Sequence, residues 1–218
     1  MMRRLLIFGL LISAALIGTG ALVVGQSKVP PQAIASSVTR SSELLEKALR
    51  LPVAAAFNRQ VAWQSNASLC GPASVANVYR SFGDAANTED KVLAGTGRCW
   101  TGFCIVGLTL DELADVARRN TQRKITVLRD LSEEQFREHL RRSNDPAQRY
   151  IVNFTRKPIF GAGGGHHSPL GGYLESEDLV LVLDVNRDFQ PWLVERARLF
   201  AAVNTFDGDK KRGLLQIE

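Results

Sequence analysis

The alternation of apolar and polar positions changes character several times along the chain, and each change marks a different kind of segment. Residues 5–24 form a run of 20 positions without a charge, directly after Met1-Met2-Arg3-Arg4. A run of that length can span a bilayer as a helix, and the two arginines before it would hold the N-terminus in the cytoplasm. Residues 1–25 are therefore expected to be a signal peptide or a transmembrane anchor. The body of the chain then faces the periplasmic side of a bacterial inner membrane, or is secreted to the periplasm. Residues 26–52 read as linker and short helix. Pro30-Pro31 sits among serines and alanines, and Leu44, Leu45, Ala48 and Leu51 follow at helical spacing, on a helix that packs on the body or stands as a stalk.

From residue 53 to 218 the pattern is that of a globular domain. Ala73, Ala76, Tyr79 and Phe82 recur at helical spacing after Cys70-Gly71-Pro72. Proline is favoured in the first turn, so Cys70 should open a helix and Gly83 should end it. Thr109 with Glu112, and Ser132 with Gln135, have capping-box spacing and predict two more helices. The period then shortens. Residues 150–154 and 179–185 are β-rich runs, separated by a glycine loop at 161–165. Helices first and strands later predict an α+β fold with two lobes or layers.

Composition narrows the picture without naming a function. The chain is 45% hydrophobic and 22% charged over 218 residues, enough for one well-formed core but not for two large domains. The net charge of +5 includes Arg3 and Arg4. So small a surplus fits an acidic small-molecule substrate at most. The basic residues are dispersed, with no aromatic-rich motif among them, so no nucleic-acid partner is expected. The three cysteines cannot all pair internally. Cys99 and Cys104 could bridge in an oxidising compartment, leaving Cys70 as the odd thiol, or could stay as buried free thiols.

Cys70 is the first candidate for chemistry, because a thiol at a helix N-terminus feels the positive end of the helix dipole and ionises more readily. Gln64, six residues earlier, could donate an amide N–H to the oxyanion of an attacked carbonyl, with the backbone N–H at the nucleophile as second donor. His166 and His167 follow the glycines. Their rings should point to opposite faces of an extended segment, so only one should face a given site. His139 lies on a polar helix and reads as a solvated face. Asp184 interrupts an otherwise apolar strand, where a carboxylate needs a partner, and a histidine N–H would serve. Arg187 could offset that charge or hold a substrate carboxylate. Gly165 and Ser168, flanking the histidines, are further candidates for substrate binding.

Several of these segments together resemble the phytochelatin synthase family. Residues Gln64-Ser65-Asn66-Ala67-Ser68-Leu69-Cys70-Gly71-Pro72-Ala73-Ser74 look like its nucleophile segment. Gly165-His166-His167-Ser168-Pro169-Leu170-Gly171-Gly172-Tyr173 is similar to its histidine segment, which reads G-H-F-S-P-x-G-G-Y in plants. Leu183-Asp184-Val185-Asn186-Arg187 is similar to its aspartate segment, and that register selects His166 over His167. The resemblance covers roughly residues 53–218. It implies a papain-like fold, with a helical lobe carrying the nucleophile and a β lobe carrying His and Asp. It also implies glutathione as substrate: Cys70 attacks the cysteinyl–glycine bond, His166 protonates the departing glycine, and Asp184 orients His166. The γ-glutamylcysteinyl group then passes to water or to a second glutathione.

No cofactor is implied for the acyl-enzyme step. Cadmium or zinc would enter only as the glutathione thiolate in the transfer step. A homodimer is left open. The plant enzymes carry a Cys-rich C-terminal region that this sequence lacks, so hydrolysis is expected to dominate. Two other readings compete. One is a papain-like processing peptidase of the bacteriocin-exporter kind, which also places Gln six residues before Cys. The other is a membrane-tethered thiol or metal-binding module using Cys99, Cys104 and the histidine pair, for which C-x4-C is poor zinc spacing.

Overall fold

The computed structural model describes residues 28–104 and 107–218; the apolar run at 5–24 lies outside them. Helices α1 (Pro31–Ser36), α2 (Ser42–Leu49), α3 (Pro52–Ala56), α4 (Cys70–Phe82), α5 (Glu89–Leu93) and α6 (Leu110–Arg119) come first. Then follow β1 (Ile125–Arg129), α7 (Glu133–Arg142), β2 (Arg149–Thr155), α8 (Lys157–Phe160), β3 (Gly165–Leu174), β4 (Leu179–Leu183) and β5 (Pro191–Glu195). Helix α9 (Arg196–Val203), a small hairpin of β6 (Phe206–Asp207) and β7 (Lys210–Lys211), and β8 (Gly213–Ile217) complete the chain. Six strands make one antiparallel sheet in the order β1-β8-β2-β3-β4-β5.

Period-two alternation splits the core into two halves, one on each face of this sheet. Ile151, Leu181, Leu183 and Leu215 face α4 and α6, where they meet Val75, Tyr79, Leu113 and Ala117. Val152, Phe154, Val182 and Trp192 face the other way, onto Phe136 and Leu140 of α7 and Leu199 of α9. Both expected capping boxes are formed, by Thr109 with Glu112 at α6 and by Ser132 with Gln135 at α7. Helix α4 ends at Gly83, whose φ of 79° is the left-handed conformation that favours glycine. A Cβ on its second residue, Gly71, would come within 2.9 Å of the Leu113 side chain on α6, which would have to shift to admit it.

The stretch expected to be a linker is part of the packed unit. Pro31 opens α1 instead of breaking structure, because a proline in the first turn lacks only an N–H that has no intrahelical partner anyway. Ile34, Val38 and Ala48 are buried, Thr39 bridges to Leu193 of β5, and α2 lies against the body. Of the two placements open for α2, packing is the one observed. His139 also differs from expectation: it is half-buried, with Nδ1 3.3 Å from the Tyr150 hydroxyl. Among the described residues no helix is long and apolar enough to cross a membrane.

Candidate active site

Cys70 is the first residue of α4, as its sequence context predicts, and its thiol is free and buried. The first backbone N–H groups of a helix have no intrahelical acceptor, so the sulfur sits beside orphan donors and the positive end of the dipole. Ser74, one turn on, pins this helix end to the sheet. Its hydroxyl lies 2.7 Å from the Cys70 carbonyl and 3.0 Å from the His167 carbonyl on β3. The thiol therefore lies over the start of β3, where both histidines stand.

The two imidazoles do alternate. His166 pairs across to Phe154 of β2 and shares the face of Trp192, while His167 pairs across to Asn153 and faces α4. The sequence selects His166 as the ring that faces the thiol, but the ring within hydrogen-bond reach of the sulfur is His167. His167 Nδ1 is 3.8 Å from Cys70 Sγ, and both rings act on the thiol electrostatically. Burial pushes the Cys70 thiol up, but the His166 and His167 imidazoles outweigh it and hold the group well below the ordinary thiol range.

Asp184 follows β4 directly and is fully buried. Its carboxylate accepts from His166 Nε2 at 2.9 Å, from the Asn186 backbone N–H at 2.9 Å and from Trp192 Nε1 at 3.1 Å. The Arg156 guanidinium completes the shell with a two-pronged contact at 3.0 and 3.1 Å. Burial would raise the carboxyl pKa, yet Arg156 and His166 overcome it and keep Asp184 ionised far below the usual range. Burial and Arg156 both disfavour a charged His166, but Asp184 and Cys70 prevail and its pKa is raised. With Nε2 committed to Asp184, Nδ1 is the His166 atom left for proton transfer.

The loop before α4 is fastened at several points. Asn77 exchanges two bonds of 2.8 Å with the Ala62 backbone, and the Gln64 N–H donates to the Val185 carbonyl at 2.8 Å. Gln64 Nε2 donates one N–H to the Asn66 carbonyl at 2.8 Å, which leaves the second amide N–H for a ligand. Gln64 and His166 line a cleft of ≈ 390 Å³, with Gly165, Arg156 and Phe189 around it and Lys28 and Val29 from the start of the described chain. That size is within the usual range for small-molecule sites.

The remaining candidates divide. Gly165 lines the cleft, and a Cβ there would come within 2.6 Å of the Arg212 guanidinium. Ser168 does not line it. The next alternation beyond His167 carries Ser168 into the interior, where it is fully buried and meets the Val185 N–H. Arg187 is exposed and outside the cleft, because the turn after Asp184 directs it to solvent. Cys99 and Cys104 form a disulfide, so neither thiolate is free for the metal-module reading. Sequence reasoning missed Arg156, Trp192, Ser74 and the Lys28–Val29 wall. For Arg156 a signal existed, since a buried carboxylate demands a cation; Arg187 was simply the nearer one in sequence.

The family model described as Phytochelatin synthase matches residues 24–214, a span that includes α1 and α2. A glutathione gamma-glutamylcysteinyltransferase of Schizosaccharomyces pombe is 36% identical over 83 residues, or 37% of this chain and 20% of that protein. Glutathione gamma-glutamylcysteinyltransferase 1 of Triticum aestivum is 37% identical over 83 residues, or 37% of this chain and 16% of that protein. The aligned stretches thus span a fifth or less of these curated relatives. Among solved structures, the peptidase domain of Streptococcus ComA, a bi-functional ABC transporter involved in a quorum-sensing pathway, superposes with a TM-score of 0.50 at 14% identity. The match covers 72% of this chain and 96% of that one. It places the chain in the papain-like fold and says nothing of substrate.

Proposed function

Because the chain belongs to the phytochelatin synthase family, we propose that it cleaves the cysteinyl–glycine bond of glutathione through an acyl-enzyme on Cys70. The observation that carries this is the arrangement at the start of β3: a buried thiol at a helix N-terminus, two imidazoles around it, and a carboxylate fixing one of them. The Cys70 thiolate attacks the carbonyl, and the oxyanion meets the Cys70 backbone N–H and the free N–H of Gln64. The tetrahedral adduct collapses as His166 Nδ1 gives its proton to the departing glycine nitrogen. Asp184 holds the ring in the orientation that transfer needs. The γ-glutamylcysteinyl thioester remains, and His166 is neutral.

Neutral His166 is then the base for the second half. Water gives γ-glutamylcysteine, and the α-amine of a second glutathione gives a phytochelatin. The cleft carries Lys28 and Asp188, charges of both signs that complement a substrate bearing carboxylates and an ammonium group. The disulfide, a bond that persists in oxidising compartments, supports placement of the body outside the cytoplasm.

The test is to incubate the purified protein with glutathione alone, follow glycine release, and take an intact mass spectrum at early times. The expected result is a γ-glutamylcysteinyl adduct on Cys70, with glycine release lost in Cys70→Ser. The ratio of γ-glutamylcysteine to phytochelatin reports which acceptor wins. Glycine release unchanged in Cys70→Ser would sink the reading.

A further inference from the structure

His167 is a histidine that the scheme above does not use. Its side chain is 98% buried (2% exposed). Nδ1 lies 3.8 Å from Cys70 Sγ, and Nε2 is buried with no partner among the described residues. That pattern is the reverse of His166, whose Nε2 is held by a carboxylate. A neutral imidazole carries one N–H and one lone pair. Placing the proton on Nε2 would bury a donor with nothing to accept it, whereas a buried acceptor left unpaired is the milder fault. The proton therefore belongs on Nδ1, the atom that faces the sulfur.

We infer that His167 donates a hydrogen bond from Nδ1 to the thiolate of Cys70 and serves, beside His166, as a second catalytic imidazole that stabilises the negative charge on the sulfur. The inference rests on Cys70 being the nucleophile of the proposed reaction. Its use falls at the moments when the sulfur carries negative charge, before the attack and again as the thioester is resolved. In the second half-reaction the sulfur leaves the tetrahedral adduct as a thiolate, and the His167 N–H is already in place to receive that charge. No proton is lost or gained by His167; it donates a hydrogen bond and keeps its proton. The plant segment G-H-F-S-P has phenylalanine at this position, so a ring of similar size without a donor is compatible with the strand.

The charged and titratable groups around the sulfur come from each neighbouring element. His166 lies on β3, backed by Asp184 and by Arg156, while Arg212 before β8 feels the Cys70 charge. Arg212 is itself held by Asn153 at 2.8 Å and Asp207 at 3.1 Å. These groups are common to all the variants below, so a difference among the variants reports on the His167 donor.

The experiment is the pH dependence of Cys70 alkylation by iodoacetamide, read by mass spectrometry on the full chain. It compares wild type, His167→Phe, His167→Gln and His167→Asn, with Cys70→Ser as the blank. His167→Phe is expected to raise the midpoint by on the order of one pH unit. His167→Gln, which keeps an N–H within reach, is expected to return most of that shift. His167→Asn, too short to reach, should behave like phenylalanine and replaces it if that variant fails to fold. An unchanged midpoint in the phenylalanine or asparagine variant overturns the inference, as does a glutamine variant shifted as far as phenylalanine. The assay needs no glutathione, so a wild-type protein that alkylates as expected but releases no glycine sinks the functional reading and leaves this one standing.

Discussion

Arg156 clamps Asp184 with two guanidinium nitrogens at 3.0 and 3.1 Å, and neither side chain has appreciable contact with water. This cation has two opposed effects. It keeps the carboxylate ionised, and it disfavours a second positive charge on His166. Removing one partner of a buried ion pair leaves the other uncompensated, at a cost of about 3–5 kcal/mol. Since His166, Trp192 and the Asn186 N–H remain on Asp184, Arg156→Met should lie near the lower end, about 3 kcal/mol, in denaturant unfolding. It should also raise the His166 pKa above its wild-type value, as read from the imidazole resonances by NMR. A purely structural arginine would give the stability loss without that upward shift.

Asp184→Asn separates charge from shape. The folded-state pKa of Asp184 is depressed, so its contribution to stability is fully present above the unfolded value of about 3.9 and is lost as pH falls through the folded one. The Asp184 share of the stability difference between wild type and Asp184→Asn should therefore shrink only below about pH 4, while the raised His166 pKa, which the substitution removes, adds a share that is fully present below the unfolded histidine value of about 6.5 and is lost as pH rises through the folded one. Glycine release should fall by about 10²–10⁴-fold at neutral pH, because the imidazolium loses its counter-charge and the ring its fixed tautomer. A stability difference that does not shrink below about pH 4 would count against this assignment.

Much of the site was legible in the sequence because its signals are local. Cys-Gly-Pro before a helical period places a thiol at a helix mouth, and Asp184 interrupting an apolar run announces a buried carboxylate. What pairs with that carboxylate is not local. Arg156 reaches it from the end of β2 and Trp192 from β5, partners that only the strand order brings together. The reach of His167 was misjudged for a similar reason. Alternation fixes which face a side chain takes, but not where along the strand the helix end comes to rest. Likewise Pro30-Pro31 reads as a break until tertiary packing of Ile34 and Val38 turns the segment into a cleft wall.

Gln64 offers a test of oxyanion stabilisation apart from substrate binding. One of its amide N–H groups is spent on the Asn66 carbonyl, and the other is available at the cleft. Gln64→Ala should lower kcat for glycine release by about 10²–10³-fold with little change in KM, as expected for a donor used mainly in the transition state. Gln64→Glu should be at least as poor, because a carboxylate would face the developing negative charge. A rise in KM at constant kcat would instead mark Gln64 as a ground-state binding residue.

The Cys99–Cys104 disulfide closes a loop that bears directly on that donor. The Cys104 N–H donates to Ser68 Oγ at 3.0 Å, Ser68 Oγ donates to Asn66 Oδ1 at 2.7 Å, and Asn66 Nδ2 donates to the Gly102 carbonyl at 2.9 Å. Asn66 in turn takes the Gln64 amide. The bridge thus fixes the residue that fixes Gln64, although none of its atoms lines the cleft. Its own share of stability is small, because it closes a loop with a sequence separation of 5; chain entropy for so short a loop amounts to about 2 kcal/mol. The double variant Cys99→Ser/Cys104→Ser should therefore stay folded at moderate temperature and lose about tenfold in kcat, the equivalent of about 1.4 kcal/mol of transition-state stabilisation. Combined with Gln64→Ala, the loss should be much less than additive, since both changes remove the same donor. Full additivity of the two, measured as glycine release under saturating glutathione, would disconnect the disulfide from the oxyanion site.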